Sequence, residues 1–316
     1  MTSTTSLSTK KVWLDTDIGG DIDDALCLAY LLQQPACELV GISTVGGEAE
    51  RRAMVADAIC QAAGRQDIPV YAGADRQLLP SSVYPTPDGA SRLPNWPHRL
   101  IAKRDQAVDA MRRAIREHPH ELSLLAVGHL TNIALLFRLD PEIPQLIKEL
   151  HIMSGVFSTD LEAGPDMPMG NWNSWLDPHA CAIVYDADVP IRRTFGLNVT
   201  SQLVLKQVEK PELFGTSTGT DTERGQGRDS MMRAVGDFGA PWLANHEMTF
   251  HDPLAAACLF EPQLCSYQRS GSVTVDYTNA ETLGAMGFQP GAGRDEIAAT
   301  VERERFFEHY FAIVCR

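Results

Sequence analysis

Five aspartates, Asp15, Asp17, Asp21, Asp23 and Asp24, fall within ten residues directly after the apolar run Val12-Trp13-Leu14. That crowding limits what the chain can fold into. Like charges a few ångströms apart raise one another's pKa, so a compact cluster stays ionised only beside a cation, and an all-oxygen site suits Ca²⁺ or Mg²⁺. The stretch must also turn. Gly19 and Gly20 let the backbone bend after the apolar run, and Asp23 and Asp24 stand where a helix can begin, where its dipole favours carboxylates. The pattern predicts a strand, a turn and a helix, with a divalent-metal site at the turn.

The rest of the N-terminal half repeats this alternation. Lys11–Leu14, Leu39–Val45, Ile68–Tyr71, Leu122–Val127 and His151–Met153 read as strands, and Asp23–Gln33, Ala49–Ala63, Gln106–Glu117 and Thr131–Arg138 as helices between them. Such alternation predicts an α/β fold, a doubly wound, mostly parallel open sheet. Ligands in these sheets collect beyond the carboxyl ends of the strands, where the aspartates lie. Farther on, the pattern predicts a strand at Ile191–Phe195, helices at 229–245 and after Asp252, strands near Ser272–Tyr277 and Glu296–Val301, and a helix at Arg303–Val314. The last strands are expected as a small additional C-terminal β element. Two long irregular stretches, Gly73–Arg104 and Gly155–Leu176, are expected at the rim of the site; Gly215–Gly227 is a third, glycine-rich segment. No linker divides the chain, so residues 1–316 are expected as one domain with residues 1–10 as a disordered tail.

A formal charge of −14 argues against DNA or RNA as partner, since phosphates are bound mainly by Lys and Arg. A small neutral or weakly charged ligand fits better. The polar first eleven residues lack the apolar core of a secretory signal, and no apolar run approaches membrane-spanning length, so a cytoplasmic protein without membrane contact is expected. Seven scattered cysteines, without zinc spacing, read mostly as reduced core residues.

Three readings of the aspartate cluster compete. An EF-hand loop counted from Asp15 needs Glu at its twelfth position, where Leu26 stands, and a helix before it, where a strand is predicted. A phosphotransferase of the haloacid-dehalogenase type also opens on Asp-x-Asp after a first strand, but wants Thr or Val where Gly19 stands. The third reading, a turn that holds metal and an activated water, gains from three more elements. His251-Asp252-Pro253 precedes the helical run Leu254–Leu259; taken alone, Asp252 reads as an N-cap with Pro253 at the first helical position. In Asn171-Trp172-Asn173-Ser174-Trp175-Leu176-Asp177-Pro178 the amides suit sugar hydroxyls and the aromatics suit a ring, while Asp177 and Pro178 read as another cap. Val127-Gly128-His129-Leu130-Thr131-Asn132 is a strand-to-helix turn whose carbonyls can reach a metal.

Together these elements, with Ser43-Thr44-Val45-Gly46-Gly47, resemble the nucleoside hydrolases, the inosine-uridine preferring family that cleaves N-ribosidic bonds; their order and rough spacing match nearly end to end. The resemblance implies a Rossmann-like nucleoside hydrolase fold and Ca²⁺ held by Asp17, Asp24, the carbonyl of Val127 and Asp252. It implies Asp17 as the general base for the attacking water, Asp23, Asn173 and Asp252 at the ribose 2′- and 3′-hydroxyls, and His251 as the group that activates the departing base. An oxocarbenium-like transition state would draw on the surrounding carboxylates. Trp172, Trp175, Trp96 and His98 are looser candidates for base contact. A nucleoside is the implied partner, and a homodimer or homotetramer the implied assembly.

The chain also departs from the family pattern. Two extra residues separate Asp17 from Asp23 relative to the short form Asp-x-Asp-Pro-Gly-x-Asp-Asp, so the turn must bulge and Asp21 has no counterpart. Asn171 stands where many members have Glu at the ribose 5′ end, which motivates tolerance of a modified 5′ position, including a phosphate. Glu48, where Asn is common, adds negative charge near the substrate and opposes that idea. These departures also leave open a catalytically silent nucleoside-binding relative.

Overall fold

The computed structural model describes residues 9–101, 106–157, 171–206, 210, 212–214 and 226–315. Residues 1–8 of the expected tail, most of Gly155–Leu176 and nearly all of Gly215–Gly227 lie outside the described residues, while Lys10, expected in the tail, pairs with Cys37 as the first residue of a strand. The first half runs β1 (Lys10–Thr16), α1 (Asp23–Gln33), β2 (Cys37–Thr44), α2 (Ala49–Ala62), β3 (Val70–Ala72), α3 (Ala107–Glu117), β4 (Leu122–Ala126), α4 (Thr131–Leu139), α5 (Ile143–Leu146) and β5 (Glu149–Met153). There follow α6 (Trp172–Leu176), α7 (Pro178–Asp186), β6 (Arg192–Phe195), α8 (Leu197–Thr200), β7 (Val204–Leu205), α9 (Arg228–Leu243), β8 (Met248–Thr249) and α10 (His251–Phe260). The chain closes with β9 (Cys265–Val275), β10 (Met286–Pro290), β11 (Asp295–Val301) and α11 (Arg303–Val314).

Among the described residues, nine strands form one sheet in the order β3-β2-β1-β4-β5-β6-β11-β9-β10. The ladder is parallel from β3 to β11, and β9 runs antiparallel to both its neighbours. The C-terminal β segment, expected as a small addition, thus widens the main sheet. β10 escaped the strand pattern because Met286-Gly287-Phe288-Gln289-Pro290 carries Gly and Pro, which an edge strand tolerates. Side chains on β1 alternate between the two faces: Val12 and Leu14 join the core under α1, α9, α10 and α11, and Trp13 joins the core under α3, α4 and α7. Helices therefore cover both faces, and the apolar spacing of Phe306, Tyr310 and Ile313 on α11 shows how one of them is held.

From β1 the chain goes to β2 on one side, and β4 lies on the other. The connections leave in opposite directions, which opens a crevice at the carboxyl ends of β1 and β4. Asp17 follows β1 and Val127 follows β4 at this point. Among the described residues no helix is long and apolar enough to cross a membrane. All seven cysteines are free thiols, five of them buried.

Candidate active site

Asp15 is a tie within the fold. Its Oδ1 accepts from Ser43 Oγ at 2.5 Å and Asn132 Nδ2 at 2.7 Å, joining β1, β2 and the start of α4. Asn132 also donates to the carbonyl of Thr44 at 3.0 Å and accepts from the amide of Ala74 at 2.8 Å. Burial pushes the Asp15 carboxyl up to about 7, against the pull of these two donors.

The turn after β1 absorbs its two extra residues by burying apolar side chains. Ile18 and Ile22 are 0 % and 1 % exposed, and Ile22 lies so close to Gly239 of α9 that a Cβ there would be 2.4 Å from it. Gly19 takes φ +108°, and a Cβ on it would sit 2.8 Å from Pro87 Cβ, so glycine is required on both counts. Asp21 folds back on the helix entrance, its Oδ1 accepting from Ile22 N at 2.6 Å. Burial raises its pKa to about 6, with His246 opposing and Asp17 adding to the shift.

Carboxylates then converge. Asp23 and Asp24 at the start of α1 and Asp252 at the start of α10 offer oxygens that all lie within 4.8 Å of one another, on side chains that are 6 %, 5 % and 2 % exposed. Burial, and then the charge of the neighbouring aspartates, pushes all three pKa values well above the ordinary range. Thr16 Oγ1 donates to Asp24 Oδ1 and fixes its rotamer. The N-cap expected at Asp252 is corrected here: α10 starts at His251 behind Phe250 with no side-chain cap, so the Asp252 carboxylate is left to face the cluster. The cap at Asp177 is present, with Oδ1 accepting from Ala180 N at 3.0 Å.

Asp17 adds its charge to this field, raising Asp23, Asp24 and Asp252, though it stands outside the 4.8 Å group. A Cβ on Gly128 would lie 2.8 Å from Val45 Cγ1, 2.9 Å from the Asp17 main-chain nitrogen and 3.0 Å from its Oδ1, so glycine gives Asp17 its room here. The carbonyl of Val127 accepts from Asn173 Nδ2 at 2.6 Å, and the same amide donates to Met153 O at 3.0 Å. Asn171 caps α6, its Oδ1 accepting from Ser174 N at 3.0 Å and Ser154 Oγ at 3.3 Å. That oxygen is engaged at the helix entrance.

His251 Nδ1 stands 2.8 Å from Thr200 Oγ1, and burial holds its pKa down to about 4, so the ring is neutral at neutral pH. Trp172 is 37 % exposed and packs on Trp175, the centroids 5.6 Å apart. Trp96 is buried, its Nε1 donating to Asp237 at 2.9 Å, and His98 Nδ1 lies 2.8 Å from the carbonyl of Trp96. Glu48, at φ +60°, turns outward and pairs with Arg51 at 2.6 Å.

Arg52 escaped the sequence reading, yet its guanidinium is buried beside Asp17 and Asp24. A signal was available: in α2 the small apolar residues Ala49, Ala53 and Ala56 mark the inward face, and Arg52 falls on it. His129 is buried too, Nδ1 2.8 Å from Thr131 Oγ1, its pKa held down to about 3 by burial and then by Arg52.

Three buried carboxylates at this spacing, with the charge of Asp17 beside them, form an oxygen cage that a divalent cation would neutralise. A model of the inosine-uridine preferring nucleoside hydrolases matches residues 12–308. A probable uridine nucleosidase 1 of Oryza sativa subsp. japonica is 28 % identical over 285 residues, 87 % of this chain and 84 % of its own. The inosine-uridine preferring nucleoside hydrolase of Leishmania major is 27 % identical over 318 residues, 94 % of this chain and 95 % of its own. Among solved structures, a plant nucleoside hydrolase superposes with a TM-score of 0.80 over 96 % of this chain and 98 % of its own at 24 % identity, a likeness of fold. With that match running nearly end to end and the acidic crevice where the fold places a ligand, the chain belongs to the inosine-uridine preferring nucleoside hydrolase family and is a nucleoside N-ribohydrolase.

Proposed function

We propose that this chain hydrolyses the N-glycosidic bond of free ribonucleosides, giving ribose and base, in a Ca²⁺-dependent reaction. The observation that carries the reading is the convergence of Asp23, Asp24 and Asp252 within 4.8 Å, next to Asp17, in a chain of this family. Asp17, Asp24, Asp252 and the Val127 carbonyl would hold the ion, an all-oxygen set that suits Ca²⁺. When bound, the ion neutralises the carboxylates and lowers the pKa of water in the site.

Asp17 then acts as general base, taking a proton from the water that attacks the anomeric carbon, a role worth about 10²–10⁴ in rate. Asp23, Asn173 and Asp252 bind the ribose 2′- and 3′-hydroxyls. As the bond to the base stretches, the sugar takes on oxocarbenium character, and the ring of carboxylates stabilises that positive charge. Neutral His251 serves the leaving base. In the tautomer in which Nδ1 accepts from the Thr200 hydroxyl, 2.8 Å away, the ring carries its proton on Nε2 and can present it as a donor. Trp172 offers an exposed ring at the rim.

The relatives bear names of uridine and inosine-uridine enzymes, so both substrates belong in the test. A reducing-sugar assay over purine and pyrimidine nucleosides, in chelator and after Ca²⁺ is restored, should show ribose release that needs the ion. Release of phosphate from phosphorylated substrates without ribose would instead favour a phosphotransferase. Binding of nucleoside without release would favour a silent relative.

A further inference from the structure

Arg52 is 2 % exposed, and its described hydrogen bonds all go to main-chain carbonyls. Nε donates to Gly47 O at 2.9 Å, Nη1 donates to Asp17 O and to Ile18 O at 3.1 Å, and Nη2 donates to Pro85 O at 2.9 Å. One side chain therefore joins the β1–α1 turn, the β2–α2 turn and the loop around Pro85. Burying a cation is costly unless hydrogen bonds and opposite charge offset it. Here four charge-assisted bonds and the nearby Asp17 and Asp24 do so.

The three segments press closely at this junction. A Cβ on Gly47 would lie 2.4 Å from Pro85 O, and Tyr84 Oη lies 3.0 Å from the amide of Glu48 while donating to Asp75 at 2.8 Å. The four carbonyls are reached from three separate nitrogens of a planar fork; a lysine ammonium has three donors on one nitrogen and cannot span them. Because Arg52 grips the carbonyls of Asp17 and Ile18, it fixes the peptide planes that aim the Asp17 side chain.

We propose that Arg52 is a positioning residue that clamps the elongated β1–α1 turn to its two neighbours and so sets the direction of the Asp17 carboxylate. Its kinetic arm rests on the hydrolase reading above, and its structural arm does not.

The test uses the full chain carrying Arg52→Ala, Arg52→Met or Arg52→Lys, with amide hydrogen exchange and steady-state kinetics. Exchange at residues 17–22 should quicken by about tenfold in all three variants, with the strands of the sheet unchanged. A misplacement of the base by ~1 Å should lower kcat by about 10²-fold with KM little moved. Arg52→Lys should remain near Arg52→Met, since charge without the fork does not clamp. Added guanidinium, not ammonium, should restore part of the Arg52→Ala rate. Unchanged exchange at the turn, a loss carried by KM alone, or full activity in Arg52→Lys would overturn the proposal. If Arg52→Ala and Arg52→Met fail to fold, Arg52→Lys decides it by the same two measures. If the wild type releases no base, the hydrolase reading fails and the exchange data alone decide the clamp.

Discussion

Replacing Asp252 by Asn should make the metal-free protein more stable and the calcium-loaded protein less stable than the wild type. Asp252 shares a space with Asp23 and Asp24 in which the carboxylate oxygens lie within 4.8 Å. At an effective dielectric constant of about 20, two unit charges at that distance repel by roughly 3.5 kcal/mol. Protons taken up by the cluster already relieve part of this, so deleting one charge should stabilise the chelated protein by about 1–3 kcal/mol. The amide also adds a donor toward the remaining carboxylates. With roughly 2 °C of Tm for each kcal/mol in a chain of this size, the gain should be about 2–6 °C. In calcium at about a thousandfold excess over Kd the order reverses, because the wild type gains about 4.1 kcal/mol, more than the variant's advantage, while the variant has lost a ligand. Differential scanning fluorimetry of both proteins, in chelator and in calcium, reads the crossing directly. A variant that melts below the wild type in both conditions would refute the reasoning, since it would make Asp252 a structural residue and not part of a strained anion cluster.

Asp17→Asn should keep the fold and lower base release by about 10²–10⁴, as measured by initial rates on uridine and inosine. Gly19→Ala should cost about 1–3 kcal/mol in urea unfolding, because the residue sits at φ +108° against Pro87. The third prediction concerns pH: the folded pKa values of Asp15, Asp21, Asp23, Asp24 and Asp252 are raised above the unfolded value near 4. The chelated native state then holds more protons than the unfolded chain above about pH 4, so the stability these groups contribute is lost as pH rises through their folded pKa values, about 6 for Asp21 and about 7 for Asp15. Calcium competes with those protons, and the rise in Tm on adding it should grow from pH 5 to pH 7; a constant increment would contradict the assignment.

The strand and helix spacing of the N-terminal half was legible because its apolar runs alternate so plainly, even though none of its described helices has a side-chain N-cap. Asp23–Gln33 matches α1 to the residue, and Arg303–Val314 matches α11. The edge strand at Met286–Pro290 and the short helix at Trp172–Leu176 were not, since five residues with Pro or paired Trp carry little periodicity, whereas the start of the helix at Pro178–Asp186 was legible in the cap at Asp177. At the site, Asp23, Asp24 and Asp252 could be named from motifs, but the release of Asp252 from its expected cap depends on α10 starting at His251, a shift within the ordinary fraying of a helix end. Arg52 was hidden for a different reason. Its partners are main-chain carbonyls from three distant segments, and carbonyls leave no trace in a sequence. Asp21 was visible as an extra residue, while its turn back onto Ile22 N needed the burial of Ile18 and Ile22 to be seen.

The central claim is that ribosidic bond cleavage at the Asp17, Asp24 and Asp252 cluster depends on one bound calcium ion. It is tested most directly by restoring calcium stepwise to the chelated protein while bound metal and base release from inosine and uridine are measured on the same samples. The account predicts that release is absent without metal, rises in proportion to occupancy and is complete at one ion per chain. Full release from metal-free protein, or a filled site that frees no base from any nucleoside, would contradict it.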